Sequence, residues 1–385
     1  MEAKPVYLDY NATTPVAPEV AGAIEPYLRE HFGNPSSFHV YGQKAKAAVE
    51  QARGEVAALV GAKPEEIVFT GCATEANNLA IQGVARALAG KKRHLITSLI
   101  EHPSVMQPFL KLREEGWEVT VLPVDRHGRV NPVEVERAIR PDTALVSVMH
   151  ANNETGTIQP IAEIAALTRQ RGIILHVDAA QSAGKIPVDV DALGADLLTL
   201  AGHKFYAPKG VGGLYVRTGT PLLPVSVGAG HERGLRPGTE NVPFIVGLGV
   251  AAELASRRLP EAQAHLRGLR DKLHETLLAA IPGLVLNGPF EARLPNTLNI
   301  SFPGVTGAAL LQAATDVAAS TGSACHASGH GASGVLGAMG ISPERAAGAV
   351  RLSLGWDTTA AEIDRAAWAL IEVWKSTRGK MGNPF

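Results

Sequence analysis

Asp178 and Lys204 close two neighbouring apolar runs of strand length, Ile173–Val177 and Leu197–Leu200, the lysine lying just past the end of its run. In an open α/β sheet, ligands collect outside the carboxyl ends of the strands. An acid and a lysine brought to one rim suit a pyridoxal phosphate (PLP) site, where a lysine holds the cofactor as a Schiff base and a carboxylate pairs with the pyridinium nitrogen. The same two residues also suit a strand-end aspartate and a surface lysine, both common.

Other strand ends carry polar residues too. Ile67–Thr70 is followed by a tight turn at Gly71–Ala73 and then a helix. Thr74 is a candidate N-cap there, and the free N–H groups of such a helix start can take a phosphate. An ordinary capped helix reads the same way. His102 follows the strand His94–Leu99 and serves either as a core histidine or, with a near-neutral pKa, as a proton carrier beside a planar ligand. Gln181 either bonds a ring substituent or caps the next element. His203 is a possible phosphate donor, and Arg351 opens a short strand. Its guanidinium fork matches a substrate carboxylate, or equally a surface partner.

The two cysteines differ in setting. Cys325 lies in the Gly- and Ser-rich loop STGSACHASGHGASG beside His326, a setting that favours a reactive thiolate over a packed one. Cys72 sits in a turn under a helix start and reads as structural. Cys325, His326 and His330 lack an evident fourth ligand and a helix to present them, so a metal is not expected. There is no Walker A pattern and no GxGxxG opening a helix after a strand.

The elements that must position these residues alternate. Helices are expected at about Gly42–Val60, Ser104–Glu115, Pro132–Arg140 and Ile161–Arg171, between strands at His94–Leu99, Val119–Val124 and Ala144–Met149, a βαβα rhythm that implies a mostly parallel sheet. After Val216 the pattern changes to the irregular loop 228–241, helices at Phe244–Arg257 and Pro260–Ala280, a strand at Thr297–Phe302 and a last helix at Thr359–Lys375. A domain boundary is expected near 255–260. The 385 residues carry a formal charge of −1, which gives no reason to expect nucleic acid or an anionic membrane as partner. No apolar run nears the roughly 20 residues of a membrane span. Two cysteines and no signal-like start point to a cytoplasmic setting.

Taken together, YLDYNATTP, GNPSS, FTGCATEANN, EHPSV, ANNETG, HVDAAQS, GHKFYAPKG, HERGLRPGTEN, LPNTLNIS, TGSACH and VRLSLG, in this order along the whole chain, resemble the cysteine desulfurases of the class V aminotransferase group. The resemblance implies a fold-type I PLP enzyme. A large domain (13–256) would hold a mostly parallel seven-stranded sheet between helices, and residues 1–12 and 257–385 would form a smaller α/β domain with the cysteine loop. It further implies that Lys204 holds PLP, Asp178 pairs with the pyridine nitrogen, His102 stacks on the ring and aids proton transfer, and Gln181 meets the phenolic oxygen. Ala73, Thr74 and His203 would lie at the phosphate, with Thr239 reaching it from a second subunit of a homodimer. Asn153 would touch both cofactor and substrate, and Arg351 the carboxylate of L-cysteine. Cys325 would take the sulfur as a persulfide, release alanine and pass the sulfur to an acceptor such as an iron–sulfur scaffold protein. Ala201 stands where many desulfurases have Ser, a feature shared with the selenocysteine lyases, which are the alternative.

Overall fold

The computed structural model describes residues 4–322 and 334–380. Its short first strand, β1 (Val6–Tyr7), pairs in parallel with β11 (Val317–Ala318) far along the chain. The central sheet is built from β2 (Ile67–Thr70), β3 (His94–Ser98), β4 (Glu118–Leu122), β5 (Thr143–Met149), β6 (Ile174–Asp178), β7 (Leu197–Ala201) and β8 (Gly212–Val216). Their order is β2-β8-β7-β6-β5-β3-β4, with β8 antiparallel to both neighbours and the other pairings parallel. β5, β6 and β7 are buried along their whole length, which explains why they read as mostly apolar runs, broken inside only by the buried Ser147, His176 and Thr199, instead of alternating ones.

A second sheet has the order β12-β10-β9, from β9 (Val285–Leu286), β10 (Thr297–Ser301) and β12 (Ala349–Ser353), all antiparallel. It belongs to a separate apolar core that gathers Val6 and Leu8 with Leu266, Leu273, Leu298, Val350 and Leu370. The helices against the central sheet pack into two other cores, one with Val49, Val56, Val177, Leu200 and Leu248, the other with Leu79, Ala80, Leu95, Phe109 and Leu145.

Two helices expected at Phe244–Arg257 and Pro260–Ala280 are one, Val242–Ala280, of 39 residues. Pro260 lacks an N–H and normally interrupts a helix. Here it falls on an exposed stretch between two packed halves. Leu248, Ala251 and Ala255 anchor the helix in one core, and Leu266, Leu273 and Leu277 anchor it in the other. Tertiary packing on both sides overrides the local penalty. No helix among the described residues is long and apolar enough to cross a membrane.

Candidate active site

The parallel strands end on one edge, and a cavity of about 280 Å³ opens there. Register explains who meets whom. Asp178 ends β6 opposite Met149 on β5 and Thr199 on β7, and the chain leaving β7 turns through Gly202–Lys204. Ala73, Thr74, His102, Asn153, Asp178, Gln181, His203, Lys204 and Arg351 all line the cavity. Residues from five strand ends and from β12 of the other sheet therefore share one space. Thr239 is exposed on the 228–241 loop and does not line it. Cys325 lies outside the described residues.

Asp178 is buried, and both its oxygens are occupied. Oδ1 accepts from Ala180 N at 2.9 Å, and Oδ2 accepts from Asn77 Nδ2 at 2.9 Å. The same Asn77 nitrogen donates to Ser104 Oγ at 2.9 Å, and that hydroxyl lies 2.8 Å from His102 Nδ1. His102 caps the helix Pro103–Glu114, its Nδ1 accepting from Ser104 N at 3.1 Å. In the neutral ring the proton is therefore on Nε2.

Lys204 Nζ donates to the carbonyls of Asn11 and Ala12, at 2.6 and 2.8 Å. His203 Nδ1 lies 3.1 Å from Thr13 Oγ1. Burial, with Lys204, Lys209 and Lys185 nearby, pulls the His203 pKa down to about 4, so the ring is neutral at neutral pH. Arg351 is buried. Its Nη2 pairs with Asp9 Oδ1 at 2.7 Å, and its Nη1 donates to Asn153 O at 3.0 Å. Beneath the rim, Glu101 is buried with Oε1 accepting from Ser98 Oγ and Met149 N. Burial, and secondarily the charge of Asp178, pushes its pKa up to about 8.

Two expectations about the β2 end need correcting. The helix is Ala73–Leu88, its N-cap is Cys72, and no side chain caps it; Thr74 sits inside the first turn. That turn leaves the leading backbone N–H groups to the cavity instead of to a hydroxyl cap. Cys72 is exposed and lines the cavity, so it is not a packed structural thiol. Gly212 makes this approach possible: a Cβ there would stand 2.8 Å from Leu200 O, 2.9 Å from Cys72 C and 3.1 Å from Ala73 N. Ala201 lines the cavity without a hydroxyl to offer it.

Sequence reasoning missed Asn11, Ala12, Asn77, Ser104 and Lys185. Asn77 had a readable signal: it interrupts the apolar stripe of its helix three residues before Ala80, and a polar residue on a buried face needs a partner. Asn11 had none, because its partners Thr297 and Asn296 are reached only through the tertiary fold.

The aminotransferase class V family model matches residues 6–366. Cysteine desulfurase IscS of Anaeromyxobacter dehalogenans is 48% identical over 94% of this chain and 90% of its own. Its namesake in Dictyoglomus turgidum is 47% identical over 93% and 92%. Among solved structures, a NifS-like protein superposes with a TM-score of 0.91 at 40% identity, covering 97% of this chain and 100% of its own. SspA in complex with cysteine gives 0.82 at 40% identity, over 90% and 98%. These similarities favour cysteine desulfurase over selenocysteine lyase. The class V family is PLP-dependent, and the donor set of this cavity fits that cofactor: a lysine amine, a buried carboxylate, a neutral histidine and an uncapped helix start. The chain belongs to the aminotransferase class V family and, within it, to the cysteine desulfurases.

Proposed function

We propose that this cavity holds PLP and converts L-cysteine to L-alanine, with the sulfur carried as a persulfide on Cys325. The convergence of Lys204, Asp178 and Arg351 on one cavity carries the reading. Lys204 would hold the cofactor through Nζ, and Asp178 would pair with its ring nitrogen. Gln181 would donate to its phenolic oxygen, and Ala73, Thr74 and His203 would hold its phosphate. Bound there, PLP supplies an electron sink for the charge left when a proton leaves the substrate Cα.

Arg351 would take the substrate carboxylate, its fork already oriented by Asp9 and by the carbonyl of Asn153. Asn153 would adjoin both cofactor and substrate. His102, tied through Nδ1 to Ser104, would stack on the ring and move protons at Nε2. The Cys325 thiolate would form a bond to the substrate sulfur as the Cβ–S bond breaks, and the three-carbon fragment would take up a proton and leave as alanine.

The same reading makes residues 13–256 a cofactor-binding domain, with 1–12 and 257–385 as a second domain bearing the cysteine loop; the separate apolar core around Val6, Leu298 and Val350 supports it. It makes the enzyme a homodimer in which Thr239 reaches the partner's phosphate site. It places the enzyme in the cytoplasm, handing sulfur to an acceptor such as an iron–sulfur scaffold protein.

The test is colour and sulfide together. Wild-type protein reconstituted with PLP should show a visible absorption band that Lys204→Ala loses. Cys325→Ala should keep the band and stop sulfide release from cysteine. A wild type without the band, or a Cys325→Ala variant that still desulfurates cysteine at the full rate, overturns the reading.

A further inference from the structure

Lys185 is buried behind the cavity and does not line it. Its Nζ donates to Gln181 Oε1 at 2.8 Å and to Asn11 Oδ1 at 3.1 Å. Gln181 Nε2 in turn donates to Asn11 O at 3.0 Å, and Gln181 does line the cavity. Lys185, Gln181 and Asn11 thus form a closed ring of hydrogen bonds against the cavity wall.

A buried amine is costly, and an apolar side chain of similar volume would fill the same space more cheaply. Burial, with Lys204 and Arg351 adding to it, holds the Lys185 pKa well below the usual lysine value. The amine must therefore do something a methionine could not.

With PLP in the cavity, the reading made above, we propose that Lys185 is a positioning residue that dictates which end of the Gln181 amide faces the cofactor. A charged lysine amine has no acceptor, so only an oxygen of Gln181 can face it. An uncharged one still has two hydrogens for Gln181 Oε1 and Asn11 Oδ1, and the Asn11 carbonyl, which needs a donor from Gln181, opposes the reversed amide. Lys185 and the Asn11 carbonyl together therefore turn the oxygen of Gln181 toward Lys185. The nitrogen is then left for Asn11 O and, with its second hydrogen, for the phenolic oxygen of PLP. The reversed amide would set Oε1 against two acceptors, the Asn11 carbonyl and that phenolic oxygen. Donation into Oε1 also polarises the amide and makes Nε2 a stronger donor. Lys185 touches neither cofactor nor substrate and acts through Gln181.

The experiment compares PLP-loaded wild type, Lys185→Met, Gln181→Ala and the double variant. It reads the wavelength of the visible band and the retention of PLP on dilution. Lys185→Met should shift the band and weaken PLP retention roughly ten-fold, the weight of one hydrogen bond. Neither change should appear when Lys185→Met is added to Gln181→Ala. A Lys185→Met protein with the wild-type band and retention overturns the inference. So does an effect that persists undiminished without Gln181. Lys185→Gln keeps a polar side chain but presents either end of its own amide, and serves if the methionine variant does not fold. It should also shift the band, and an unchanged band overturns the inference. A wild type that gives no band with PLP overturns the cofactor reading itself, and with it this inference. That result is distinct from a band indifferent to position 185.

Discussion

Asn77 donates to Asp178 across a 2.9 Å hydrogen bond with no solvent exposure at the asparagine, so the carboxylate at the end of β6 is held by the helix that follows β2. Removing one partner of a buried bond leaves the other unsatisfied at about 1–3 kcal/mol, and more when it is charged. Asn77→Leu should therefore lower unfolding stability by at least that amount in urea titrations. PLP retention should fall with it, since the carboxylate loses its fixed position. Equal retention in variant and wild type would separate Asp178 placement from cofactor binding.

The 228–241 loop is anchored by a buried ion pair. Arg53 Nη1 and Nη2 meet Glu232 Oε2 and Oε1 at 2.8 and 2.9 Å, and Glu232 Oε2 also accepts from Phe69 N at 2.8 Å. Breaking a buried pair from one side costs about 3–5 kcal/mol. Glu232→Ala should lose stability on that scale by urea unfolding and loosen the loop that carries Thr239, read as faster proteolysis between residues 228 and 241. Stability unchanged to within about 0.5 kcal/mol would contradict it.

The pH profile of stability has two opposing limbs. His150 and His176 are buried, and desolvation lowers each pKa to about 4 from its usual value of 6.5. The unfolded chain binds these protons first, so stability is lost as pH falls from 6.5 toward 4, by up to roughly 1.4 kcal/mol per pH unit for each. Glu101, raised to about 8, acts the other way: the unfolded chain ionises first, and stability is lost as pH rises from 4.5 to 8. These two histidines, with the less buried His203 acting the same way, outweigh the one glutamate below 6.5, and Glu101 acts without them above it. Glu101→Gln should gain on the wild type between pH 6.5 and 8 by up to roughly 1.4 kcal/mol per unit. Parallel curves for variant and wild type over that window would refute an un-ionised Glu101.

Gly212 lets the start of β8 lie against the Cys72–Ala73 backbone. Gly212→Ala should push the two apart at a cost of about 1–3 kcal/mol, as overpacking generally does. PLP should be held less firmly, because the helix start proposed to meet its phosphate would move. Thermal melting with and without PLP measures both effects, and a variant whose PLP-induced gain in Tm matches the wild type argues against that role.

Local rules carried the sheet and much of the site. The runs ending at Asp178 and before Lys204 were readable because a strand buried on both faces is mostly apolar, here with only His176 and Thr199 breaking it. The polar residues at the strand ends followed from where the runs stop. What escaped was set by distance or by packing. Pro260 marks a helix end by any local rule, yet two cores hold the helix through it. Thr74 has the chemistry of a cap, but the helix starts one residue earlier. Lys185 carries no sequence signal of burial, and only the partners Asn11 and Gln181 reveal why it is buried. Cys325 lies outside the described residues, so its expected reactivity rests on the character of its loop and on the family.

Asn11 has one further consequence, for the order of events in a cell. Its backbone N donates to Ser353 Oγ, 342 residues away in sequence, and its side chain meets Asn296 and Thr297. The carbonyl that receives Lys204 is thus anchored by residues that leave the ribosome well after Lys204 itself. A nascent chain that has emerged only as far as β8 has Lys204 and Asp178 but not this anchor. A chain truncated after β8 should therefore remain colourless with PLP if the Asn11 anchor is needed to seat the lysine, and a yellow truncated chain would show that it is not.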